Sequence, residues 1–125
     1  MVELDNYKTE LASYEEPLRE VRDSLNLGDK RFRIEELEKN MEAPDFWDDA
    51  EQASQSMKEV KELKDIVDRA DGLSSQYEDI MTLIEMAYEE EDEELVAETG
   101  QELSEFIQEF EDLRITTMLK GEYDD

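Results

Sequence analysis

The chain has no cysteine and no histidine, and only four glycines, two prolines and one tryptophan in 125 residues. Without cysteine there is no disulfide framework and no thiolate site. Without histidine the commonest general base and metal ligand is missing. Basic residues are scarce too, 13 against 39 acidic, for a formal net charge of −26. A polyanion of this size repels phosphate backbones, so direct nucleic-acid binding is not expected and partners should be proteins, preferably basic ones. No window reaches the apolar length of a membrane span. Met1-Val2-Glu3-Leu4-Asp5 lacks the basic, apolar run of a signal peptide. These absences predict a soluble cytoplasmic chain with no membrane role and no cofactor.

With 42% charged and 38% hydrophobic residues, composition alone would suit a disordered chain. The apolar residues are not scattered, however. Leu4, Tyr7, Leu11, Tyr14, Leu18, Val21 and Leu25 alternate steps of three and four, which makes one stripe on one helix face. Pro17 interrupts it, at a cost of about 3 kcal/mol in a regular helix. The expectation is a kink near Tyr14 or a helix starting at Pro17. Asn26, Gly28 and Asp29 predict a turn, and Ile34, Leu37 and Met41 a shorter helix that Pro44 ends.

From Asp48 a stripe runs through Ala53, Met57, Val60, Leu63, Val67, Ala70, Leu73, Tyr77, Ile80, Ile84 and Ala87. Its phase survives Asp71-Gly72, which predicts one helix of roughly 40 residues, about 60 Å long. Asp48 and Glu51 have the spacing of a capping box, with Phe46 and Trp47 placed to staple the start of the helix onto a neighbour. Six acids, Glu89 to Glu94, mark a solvated turn in which Asp92 can cap the next helix. The stripe resumes at Val96, Thr99, Leu103, Phe106, Phe110, Leu113 and Thr117, and Gly121 should follow the helix end. The predicted fold is all-α: a single domain, residues 1–125, formed by an elongated bundle of about four helices dominated by a long antiparallel hairpin.

Nothing in this pattern points to catalysis. The acidic run lacks the alternating oxygen ligands and central glycine of an EF-hand loop. No nucleophile has a base beside it, and the isolated Gly28, Gly72, Gly100 and Gly121 form no phosphate-binding loop. Between Ala70 and Leu113 there is no lysine or arginine. That face suits either charge balance within the bundle or presentation to a basic protein.

Three segments together resemble the N-terminal domain of the bacterial peptide chain release factor 2 family. They are Ile34-Glu35-Glu36-Leu37-Glu38 leading into Met41-Glu42-Ala43-Pro44-Asp45-Phe46-Trp47-Asp48-Asp49, the long helix ending Leu83-Ile84-Glu85-Met86-Ala87, and Leu119-Lys120-Gly121-Glu122-Tyr123-Asp124. The signature residues are Pro44, Asp45, Phe46, Trp47 and Asp48, with Gly121, Glu122, Tyr123 and Asp124. Both segments favour factor 2 over its paralogue, factor 1.

The resemblance implies a part in translation termination on the ribosome at UAA and UGA codons. In the family, a Ser-Pro-Phe tripeptide reads the codon and a Gly-Gly-Gln loop triggers peptidyl-tRNA hydrolysis. Neither motif occurs here. The chain is therefore expected to be no enzyme by itself, with no catalytic, cofactor or metal residue. It would instead be a docking domain for large-subunit stalk-base proteins and for the GTPase release factor. A stand-alone acidic adaptor for a basic protein is the alternative, and a homodimer of the chain is left open.

Overall fold

The computed structural model describes residues 1–121; Glu122, Tyr123 and Asp124 of the signature lie outside the described residues. The elements are α1 Val2–Ala12, α2 Glu15–Leu25, α3 Leu27–Asn40, a 3₁₀ turn Pro44–Asp48, α4 Ala50–Glu90 and α5 Glu93–Leu119. No strand occurs among the described residues, and the class is all-α. The chain groups into two compact units, Met1–Leu25 with Asp71–Asp125, and Asn26–Ala70. α4 is continuous across their boundary.

In the first unit, α5 and the second half of α4 form the expected antiparallel hairpin. Ala87 and Val96 share a buried cluster near the turn, and Tyr77 meets Phe106 edge-on further along, with centroids 6.0 Å apart. The turn needs only Glu91, in the left-handed region at φ 52, and Asp92. The Asp92 carboxylate accepts the Glu94 N–H at 2.9 Å, the expected cap. All seven stripe residues of α5 are buried. Thr99 and Thr117 satisfy their hydroxyls on the Leu95 and Leu113 carbonyls, both at 2.7 Å, so the polar groups in the seam are paired.

α1 and α2 run alongside α5 and opposite to α4. Leu4 packs with Ala87 and Val96, Tyr14 lies edge-on to Phe106 and Phe110, and Arg22 pairs with Asp71 at 3.1 Å. The predicted first helix is divided at Ser13-Tyr14, and α2 begins two residues before Pro17 rather than at it. In the first turn an N–H has no intrahelical acceptor anyway, so Pro17 forfeits nothing there.

In the second unit, α3 starts one residue after α2 ends. The turn expected across Asn26, Gly28 and Asp29 is Asn26 alone, left-handed at φ 51 and ψ 56, with Gly28 and Asp29 already helical. Asn tolerates that region as few side chains do, which makes a one-residue reversal affordable. α3 buries Leu27, Ile34 and Leu37, and ties to α4 through Arg33–Glu59 at 2.7 Å and Glu38–Lys64 at 2.7 Å. On α4, Met57 was expected inside, yet it is 46% exposed and Ser56 is buried in its place. Steps of three and four accommodate either position, and the neighbouring helix decides between them.

Candidate functional site

The Ala43–Asp49 segment joins α3 to α4 within the second unit. Proline is at home at the start of a helical turn, and Pro44 opens the 3₁₀ turn. The Trp47 indole N–H donates to the Met41 carbonyl at 3.2 Å and satisfies one of the free acceptors at the end of α3. Phe46 and Trp47 meet edge-on at 4.8 Å. The expected staple is only half made: Phe46 is half-buried, but Trp47 is 51% exposed. The capping residue is also displaced by one. Asp48 is used up in the 3₁₀ turn, and it is the extended Asp49 whose carboxylate accepts the Gln52 N–H at 3.1 Å. Gln52 thus stands where Glu51 was expected, as the third helical residue.

This joint borders an open cleft of about 670 Å³ whose lining includes Leu37, Asn40, Ala43, Asp45, Phe46 and Ser56. Arg33 at its margin is held by Glu59 and Glu36, and the paired guanidinium is pushed further toward the charged form. The same pair draws the Glu59 carboxyl below its usual value. Phe32, on α3, is 68% exposed, and sequence reading did not single it out. Its position between the buried Leu27 and Ile34 was the available signal, because it falls off their face.

Gly121 belongs to the first unit. It follows the Lys120 cap of α5 with φ 73, and its N–H returns to the Met118 carbonyl at 3.1 Å. A left-handed glycine just past a helix end is a common stop, so its local role is explained by backbone geometry.

Three tyrosines of the first unit are also perturbed. Burial pushes Tyr77 up, reinforced by Glu15 and Glu78. Burial also raises Tyr14, with Glu111 and Glu10 adding to it and Arg114 opposing. Tyr88 is raised by its hydrogen bond to Asp5. Each perturbed phenol is thus accounted for by packing and its carboxylate neighbours. Among the described residues no three His, Cys, Asp or Glu side chains are grouped to hold a metal ion, and no helix is long and apolar enough to cross a membrane.

Charge is divided unevenly between the units. Residues 26–70 hold eight Lys/Arg against thirteen Asp/Glu, whereas the rest holds five against twenty-six. The acidic face is therefore a property of the first unit and the Phe-Trp joint one of the second.

Residues 30–125, from the first turn of α3 onward, match the PCRF domain. The chain belongs to the PCRF domain family. It is 37% identical over 123 residues to peptide chain release factor 2 of an Exiguobacterium species, a match covering 98% of this chain and 34% of that protein. The corresponding proteins of Clostridium perfringens and Staphylococcus saprophyticus are 35% and 32% identical, over 99% and 98% of this chain and 34% and 33% of their own lengths. These comparisons support the resemblance to the N-terminal domain of peptide chain release factor 2. The chain spans about a third of the length of these relatives. Within the PCRF domain, the Pro44–Asp48 turn joins α3 to α4, with Phe46 half-buried and Trp47 51% exposed.

Proposed function

We propose that these 125 residues act as one docking and positioning domain of a peptide chain release factor 2, in translation termination at UAA and UGA codons in the cytoplasm. The observation that carries this reading is the PCRF match over residues 30–125, joined to relatives that are all named peptide chain release factor 2. The helices supply geometry; neither a Gly-Gly-Gln nor a Ser-Pro-Phe sequence occurs in the chain, so the reacting and decoding groups would sit in other parts of a longer protein. The partners are the ribosome, through stalk-base proteins of the large subunit, and the GTPase release factor. A protein surface fits a chain of charge −26 better than bare ribosomal RNA does.

The test uses termination complexes programmed with UAA, UGA or UAG, together with co-sedimentation. The chain alone should sediment with ribosomes and release no peptide. The full-length protein lacking residues 1–121 should bind termination complexes more weakly and keep its preference for UAA and UGA. Failure of the chain to sediment with ribosomes, or codon-dependent release by the chain itself, sinks the proposal.

A further inference from the structure

In the first unit α1 and α2 cover one side of the α4–α5 hairpin; the other side is open. There Asp79, Thr82 and Leu83 of α4 face Glu98 and Glu102 of α5 across a groove of about 370 Å³. Met86, 41% exposed, continues the Thr82–Leu83 side of α4 by helical spacing. Leu83 is thus the apolar side chain of the groove, with Met86 beside it on α4, and Asp79, Glu98 and Glu102 make its rim anionic. Among the described residues no ion pair reaches Asp79, Glu98 or Glu102, and Glu94, Glu98 and Glu102 follow one another at i, i+4, an arrangement of like charges that destabilises a helix. Glu94 suits the first turn of α5, but Glu98 and Glu102 lie beyond it, where a cationic neighbour would relieve their repulsion.

We propose that this groove is the docking surface for a basic amphipathic segment of a partner protein. Its apolar side chains would lie on Thr82, Leu83 and Met86, and its Lys or Arg side chains against Asp79, Glu98 and Glu102. Leu83 and Met86 supply affinity; the rim supplies approach rate and selectivity. A second copy of this chain is a poor occupant, because it would set carboxylates against carboxylates, and nucleic acid is repelled for the same reason. The proposal rests on the docking reading above and names the chemistry of its partner.

The probes are a synthetic amphipathic Lys/Leu peptide and a peptide of equal charge carrying no leucine, titrated into the chain at about 150 mM salt, where long-range attraction is screened. The amphipathic peptide should bind about tenfold more tightly, the fold-change expected from one buried apolar anchor. Amide shifts should concentrate at residues 79–86 and 94–102. Met86→Glu, an exposed change that should spare folding, should weaken the amphipathic peptide about tenfold. The Glu98→Gln/Glu102→Gln pair should weaken it while raising the Tm of the free chain, opposite directions that a structural role would not produce. Glu3→Gln/Glu10→Gln on α1 should leave affinity within about twofold.

Equal affinity for both peptides, or an equal loss in the α1 variant, overturns the proposal. Unchanged ribosome co-sedimentation of the Met86→Glu chain overturns the groove as the docking surface and leaves the docking reading standing. Groove-mapped peptide binding by a parent chain that ignores ribosomes supports the groove and sinks the docking reading.

Discussion

The ring of Tyr7 on α1 lies against the backbone of Gly100 on α5, with its hydroxyl 2.5 Å from where a Cβ on Gly100 would stand. Gly100 is what lets the two helices approach at this point. Glycine costs a helix about 1 kcal/mol relative to alanine, so Gly→Ala in a helix ordinarily stabilises. Gly100→Ala should instead lower stability by about 1 kcal/mol, because Tyr7 is half-buried beside Leu4, Ala87 and Val96 and its ring would have to move. Gly72, helical with nothing within 4 Å of an added Cβ, should show the ordinary sign. Thermal or urea unfolding of the two variants checks the contrast, and equal stabilisation by both would contradict the Tyr7 contact.

Phe106 is fully buried and meets Tyr14, Tyr77 and Phe110, drawing together α2's approach, α4 and α5. Phe106→Ala should cost about 3–5 kcal/mol, the range for emptying a large core site. Thr99→Val, which removes a hydroxyl that returns to its own helix, should stay within about 1 kcal/mol of the parent. Denaturant midpoints at constant m-value would measure both.

Tyr14, Tyr77 and Tyr88 are all raised above the usual phenol value, by burial in the first two and by the Asp5 hydrogen bond in the third. A group whose folded pKa is raised stabilises fully below its unfolded pKa, and that contribution is lost as pH rises through the folded value. Stability should therefore fall above about pH 10. Spectrophotometric titration should show delayed phenolate formation in the folded chain, and Tyr88→Phe should remove one delayed component. Simultaneous titration of all tyrosines at the unfolded value would contradict the assignment.

A net charge of −26 with long like-charged stretches opposes the compact state. Raising ionic strength from about 0.01 to 0.15 M shortens the Debye length from about 30 to 8 Å. Tm should rise over this range, most for the first unit, where the excess of acid lies. A fall in Tm would mean that ion pairs such as Arg33–Glu59 and Glu38–Lys64 outweigh the general repulsion.

Hydrophobic spacing determined that this is a helical chain, that α4 passes unbroken through Gly72 and which seven residues α5 buries, and the acidic run marked Asp92 as the cap of α5. Those features depend on one helix's own period and on side chains acting over three or four residues. The Pro-Asp-Phe-Trp segment likewise marked the α3–α4 joint and, together with the two other segments, the family. Tertiary structure decided the rest. Whether Ser56 or Met57 turns inward, whether Trp47 plugs a core or stays in water, and why position 100 needs glycine depend on which neighbour arrives and how closely. The cap moved from Asp48 to Asp49 because the 3₁₀ turn consumed the earlier residue. Periodicity describes one surface of a helix, whereas packing is a relation between two surfaces, and only the folded chain supplies the second.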